Sequence, residues 1–94
     1  MDLNEALKVL REHKRELREK FGVKEIQIFG SYVRGDQKER SDIDLIVDFE
    51  DIPDLLEFIG LERRLEEILG VKVDLLTQES LSPYIRKYIE VIVV

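Results

Sequence analysis

Two aspartates at i and i+2, Asp42 and Asp44, stand in a run where polar and apolar residues alternate, and a third carboxylate appears later in Val73-Asp74-Leu75. Eleven residues before Asp42 comes a small-residue turn, Gly30-Ser31, which opens the segment Gly30-Ser31-Tyr32-Val33-Arg34-Gly35. On a strand, side chains at i and i+2 share one face roughly 7 Å apart, so Asp42 and Asp44 can share or bridge hard cations. If Asp74 comes from a neighbouring strand, three carboxylates converge, and each pair at about 7 Å repels by roughly 2 kcal/mol at an effective dielectric of 20. Such a cluster calls for a cation. Mg2+, with Mn2+ as the alternative, held between carboxylates and phosphate oxygens is the setting for two-metal phosphoryl or nucleotidyl transfer. Gly30 permits close backbone approach, Ser31 offers a hydroxyl and an N–H at the start of a helical turn, and Arg34 adds a charge-assisted phosphate contact.

The elements that must hold these residues follow from periodicity. Leu3, Leu7, Leu10, Leu17 and Phe21 fall near one stripe and predict a helix from about Asn4 to Lys20, capped by Asp2 with Glu5 and stopped by Gly22. Val23 to Phe29 reads as a strand running straight into Gly30, and Ser31 to Arg34 as one helical turn. Asp36 to Arg40 is a polar loop. Ile43, Leu45, Val47 and Phe49 alternate with Asp42, Asp44, Ile46 and Asp48, the period of a strand with one buried face. Pro53 marks a turn, and Asp54 to Leu69 reads as a helix with Leu55, Ile59, Leu65, Ile68 and Leu69 inward, ended by Gly70. Val71, Val73 and Leu75 form the inner face of a third strand, which leaves Asp74 on its other side. Ser82 and Pro83 start a last helix carrying Tyr84, Ile85, Tyr88 and Ile89. The apolar run Val91 to Val94 either prolongs that helix or forms a short strand.

The resulting order, α-β-α(short)-β-α-β-α, predicts an α/β (α+β) chain with a mixed β-sheet flanked by helices in a single domain over residues 1–94. A chain of 94 residues buries roughly 65% of its unfolded surface, enough for one core but not for a separate substrate-binding domain. Charged residues are 38% and apolar residues 44%, a soluble globular composition. No apolar run reaches membrane length, and the start lacks a signal-peptide pattern. With no cysteine, thiol nucleophiles, zinc-thiolate sites and disulfides are excluded, and a cytoplasmic location is expected. A net charge of −6 argues against direct nucleic-acid binding, which needs a basic face.

Other residues have plainer readings. His13, among Arg11, Lys14 and Arg15, belongs to a solvated helix face, and Asp36, Asp48 and Glu50 are loop and strand-surface acids. Tyr84 and Tyr88, one helical turn apart, read as packing residues. The run Glu62 to Glu67 is a helix face with i,i+4 charge pairs.

Gly30, Ser31, Arg34 and Gly35, then Ser41, Asp42, Asp44 and Leu45, then Asp74, resemble the pattern of the nucleotidyltransferase superfamily that includes DNA polymerase beta, and within it the minimal nucleotidyltransferases (MNT). That pattern is G-S-x-A-R-G, a short loop, S-D-x-D-L and a later strand acid; Val33 departs from the usual alanine. The resemblance implies a catalytic, metal-binding set of Asp42, Asp44 and Asp74 with two Mg2+ ions, ATP as substrate, and phosphate contacts from Gly30 and Ser31. It also implies a partner, since MNT proteins commonly act as antitoxins beside a HEPN-domain RNase toxin, some by transferring AMP to a tyrosine of it. Two functions follow for test: an enzyme that adenylylates its partner, and a non-catalytic antitoxin that neutralises by stoichiometric binding. The apolar tail from Val91 is either buried in the monomer or an edge for a partner or homodimer.

Overall fold

The computed structural model describes residues 1–38 and 41–94. Its sheet forms because three apolar-alternating segments find one another, and a fourth closes the edge. Strands β1 (Val23–Phe29), β2 (Ile43–Phe49), β3 (Val73–Thr77) and β4 (Ile92–Val93) lie in the order β3-β2-β1-β4. β1 runs antiparallel to both β2 and β4, whereas β2 and β3 are parallel. The parallel pair needs a crossover, supplied by helix α4 (Leu55–Leu69).

One face of the sheet carries the core. Ile26 and Ile28 of β1, Ile43, Leu45 and Val47 of β2, and Val73 and Leu75 of β3 pack with Ala6, Leu7, Leu10, Leu17, Leu61, Leu65 and Leu69 from the helices. This is the half-buried strand pattern, with Asp44 and Asp74 left on the opposite face. Ile46 points to that opposite face and is nevertheless buried. It lines a small cavity of about 150 Å³ with Gln27, Leu81, Ile89 and Val91, so the C-terminal segment covers part of the second face. Among the described residues, no helix is long and apolar enough to cross a membrane.

The first helix differs from the sequence expectation. Asp2 caps it as expected, accepting the Glu5 N–H at 2.8 Å, but the helix is broken at His13 into α1 (Leu3–Glu12) and α2 (Lys14–Phe21). His13 does not simply face solvent. Its Nδ1 lies 2.8 Å from the Val9 carbonyl and holds the joint. A paired guanidinium then ties α2 to α4, with Arg64 donating to both Glu16 oxygens at 2.7 and 2.9 Å and to Glu67 at 2.7 Å.

Two further expectations are corrected. In α4 the buried phase is Leu61, Leu65 and Leu69; Leu55 is 73% exposed and Ile59 lies at the surface. The run Leu55-Leu56-Glu57-Phe58-Ile59 is apolar on more than one face, so periodicity alone cannot set its phase, and only Phe58 packs inward, against Phe49. The last helix, α5 (Pro83–Arg86), is a single turn capped by Ser82. Tyr84 and Tyr88 are 80% and 83% exposed rather than packed. A 3-10 turn at Gln78–Ser80 precedes it, and within the run Val91 to Val94 the residues Ile92 and Val93 form a short strand, with Val94 buried. Of the predicted polar loop Asp36 to Arg40, Glu39 and Arg40 lie outside the described residues.

Candidate active site

Strand register brings the acids together. Asp44 sits in β2 between Phe29 of antiparallel β1 and Asp74 of parallel β3, its direct partner on each side. Asp42 immediately precedes β2. The start of β3 is fixed from two directions: the Ile43 N–H donates to the Lys72 carbonyl at 2.9 Å, and the Val73 N–H donates to the Glu66 carboxylate of α4 at 3.1 Å.

The Gly30 turn fits against these acids. β1 ends at Phe29, and Gly30 (φ 78°, ψ −146°) turns the chain into the one-turn helix α3 (Ser31–Arg34). That backbone conformation is open to glycine, and a Cβ built there would overlap the Asp44 carboxylate. Gly30 thus lets the Asp44 side chain lie over the turn. Ser31 heads α3, where the first N–H groups of a helix have no partner within it. Val33 packs against the core beneath the turn. Arg34 is paired with Asp36 at 3.2 Å and also lines the cavity beside Asp44.

Two residues outside the expected set position Asp42. The Ser41 hydroxyl accepts the Lys38 N–H at 2.7 Å, closing the loop before β2. The Tyr32 hydroxyl, on a ring that is 1% exposed, donates to the Ser41 carbonyl at 3.4 Å. Burial, and then the nearby Asp42 charge, push the Tyr32 phenol above its usual range.

Electrostatics mark Asp44 as the crowded member. Burial first, then Asp74, and then Asp42, raise its carboxyl above the ordinary range, while Arg34 partly offsets them. Asp42 and Asp74 are exposed.

Asp44 opens onto a cavity of about 510 Å³, a size suited to a nucleotide. Phe29, Gly30, Arg34 and Asp44 form one wall, and Tyr88, Ile89 and Glu90 form the other. Sequence reasoning passed over this second wall. Its signal was the apolar tail: with Gln27 opposite Val93 and Ile28 opposite Ile92, the residues before β4 return beside the end of β1.

A family model described as a nucleotidyltransferase domain matches residues 10–92. The chain belongs to the nucleotidyltransferase family. This nucleotidyltransferase is 56% identical over 87 residues to the protein adenylyltransferase MntA of Thermococcus cleftensis, covering 93% of this chain and 88% of the relative. Its fold matches a solved structure assigned as a minimal nucleotidyltransferase at a TM-score of 0.79 and 39% identity, over 98% of this chain and 95% of that one. It also matches a complex of a tri-AMPylated Shewanella oneidensis HEPN toxin with its MNT antitoxin, at a TM-score of 0.60 and 27% identity, over 85% of this chain and 61% of that one.

The donor set of the nucleotidyltransferase suits a hard divalent cation, because Asp44 and its register partner Asp74 offer carboxylate oxygens from adjacent strands. Among the described residues, no group of three or more acids or histidines is arranged to hold a metal ion by itself. Mg2+ rarely uses an all-protein cage. It binds through one or two carboxylates and completes its shell with substrate phosphates and water.

Proposed function

We propose that this nucleotidyltransferase is an antitoxin that transfers AMP from ATP to a tyrosine of a HEPN-type RNase toxin and so silences it. The observation that supports this reading is Asp44, which lies against the Gly30 turn and lines a nucleotide-sized cavity, with Asp74 as its register partner on β3 and Asp42 two residues before it. The relatives supply its biological setting, since one is a protein adenylyltransferase and another is an MNT antitoxin bound to an AMPylated HEPN toxin. A cysteine-free chain suits the cytoplasm.

In this reading Asp42, Asp44 and Asp74 hold two Mg2+ ions, with Mn2+ as the alternative. When bound, the cations supply charge neutralisation of the triphosphate and activation of the acceptor hydroxyl. Gly30 and Ser31 present the turn's backbone N–H groups to the phosphates, and Arg34 adds a positive charge at the same wall. Tyr88 and Ile89 form an aromatic and apolar surface opposite, where the base lies. The acceptor oxygen forms a bond to the α-phosphorus, the bond to the β-phosphate oxygen breaks, and pyrophosphate leaves. Asp74, exposed on β3, takes the acceptor's proton in this reading.

Intact-mass spectrometry of a HEPN-type protein from the same genome, incubated with ATP, Mg2+ and this protein, tests the reading. One or more AMP units appear on the partner with the wild type and none with Asp42→Asn. If Asp42→Asn still forms the complex and neutralises the toxin fully while the wild type adds no AMP, stoichiometric binding is the function.

A further inference from the structure

The beginning of α4 shows a hydrophobic face that the monomer leaves uncovered. Ile52 is 91% exposed, Leu55 73%, Leu56 80% and Ile59 36%. On the helix, Ile59 follows Leu55 by four residues and Leu56 by three, so these side chains form one patch. Four such residues expose on the order of 400 Å² of apolar surface, the size of the largest patch on a monomer, which is often a functional one.

The charge around this patch has one sign. From Ser41 through Glu62 the chain has eight carboxylates and no lysine, arginine or histidine. Four of them, Glu50, Asp51, Asp54 and Glu57, are interspersed with the patch residues along the chain, and among the described residues none forms an ion pair. The patch also lies beyond the end of β2 that is remote from the acids. From Asp44 to Phe49 the strand runs five residues, roughly 16 Å.

A second copy is a poor occupant. A two-fold contact sets the same patch against itself, which brings four acids to face four acids. A basic partner with its own apolar anchors is complementary. An RNase must offer a basic surface to its polyanionic substrate.

Resting on the reading of the partner as a HEPN-type RNase, we propose that the face of Ile52, Leu55, Leu56 and Ile59, with its acidic rim, docks on the basic RNA-binding surface of the toxin. Docking then excludes RNA whether or not AMP is transferred. The catalytic acids and the docking face occupy opposite ends of the sheet, so the two modes of neutralisation are separable by mutation.

The test uses the full chain and a HEPN-type protein from the same genome, with affinity measured by titration calorimetry at low and high salt. Removing a buried leucine corresponds to roughly 10–100-fold in affinity. Leu56→Lys therefore weakens the complex at least tenfold, Asp51→Lys weakens it in the same direction, and Asp42→Asn leaves it unchanged. Both surface variants are checked by thermal melting. Asp42→Asn also displaces an RNA oligonucleotide from the toxin, and added salt weakens wild-type binding. Wild-type affinity in both surface variants overturns the proposal, as does a wild-type homodimer that Leu56→Lys dissociates. Intact masses of the same mixtures separate the two claims. An Leu56→Lys-sensitive complex without AMP transfer removes the adenylyltransferase reading and keeps the docking face, whereas AMP transfer with unchanged affinity in the surface variants does the reverse.

Discussion

Replacing Asp44 by asparagine should make the metal-free protein more stable while disabling it. Asp44 and Asp74 are register partners on adjacent parallel strands, so their Cα atoms are about 4.8 Å apart. Unit charges about 5 Å apart repel by about 3 kcal/mol at a dielectric of 20 and by under about 1 kcal/mol in bulk water. Asp74 is exposed, so the lower figure is nearer. Asp42 adds a smaller repulsion and Arg34 removes some, leaving about 1 kcal/mol net. For a domain of 94 residues, that raises the melting midpoint by about 4–8 °C.

The pH dependence has a definite sign. Burial, Asp74 and Asp42 hold the folded Asp44 carboxyl above its ordinary value, so the unfolded chain ionises it more readily. The wild type is penalised at pH above the folded pKa, and the penalty fades as pH falls through that value. Melting curves in excess chelator, taken from neutral pH down into the carboxylate range, should therefore show Asp44→Asn above the wild type at neutral pH and converging with it toward acid. Mg2+ with ATP reverses the order, stabilising the wild type and not the variant. A variant that melts at or below the wild type in chelator at pH 7 would refute the idea that these acids are kept together at a cost to stability.

Gly30→Ala places a Cβ on the Asp44 carboxylate and forces alanine to a positive φ, so activity should fall by at least a hundredfold and stability by about 1–3 kcal/mol, read from turnover and chemical denaturation. Tyr88→Ala should raise the KM for ATP by roughly 5–100-fold, the range for loss of one stacked base, while Tyr88→Phe stays near the wild type; equal KM values in steady-state assays would remove Tyr88 from the base site. Arg64 holds the Glu16 carboxyl below its usual range, chiefly through their hydrogen bonds. That contribution is present above the unfolded pKa of Glu16 and lost as pH falls through the folded one. Arg64→Ala should thus lower stability at neutral pH and flatten the acid limb of the melting profile.

The elements around the candidate site were legible because their residues carry strong local signals. Asp42 and Asp44 fall two apart in an alternating run, although β2 itself begins at Ile43, and the strand from Val23 to Phe29 and the turn from Ser31 to Arg34 lie where the sequence places them. What escaped depends on contacts across the chain. His13 breaks the first helix where its ring meets the Val9 carbonyl. The phase of α4 is decided by where the sheet ends, since Leu55, Leu56 and Ile59 suit a core as well as a surface. Tyr88 and Glu90 reach the cavity only because the tail pairs with β1, a long-range choice that four apolar residues do not announce. Tyr32 and Ser41 were visible as motif residues, but their part in setting the loop before Asp42 is a matter of geometry.

The most direct test of nucleotidyl transfer is to follow two differently labelled samples of ATP into the HEPN-type partner. The account predicts that label at the α-phosphate becomes attached to a partner tyrosine, that label at the γ-phosphate is released in pyrophosphate, and that Asp42→Asn abolishes both. Label from the γ-phosphate on the partner would make the reaction a phosphorylation, and label from neither position would leave the acids without the role assigned to them.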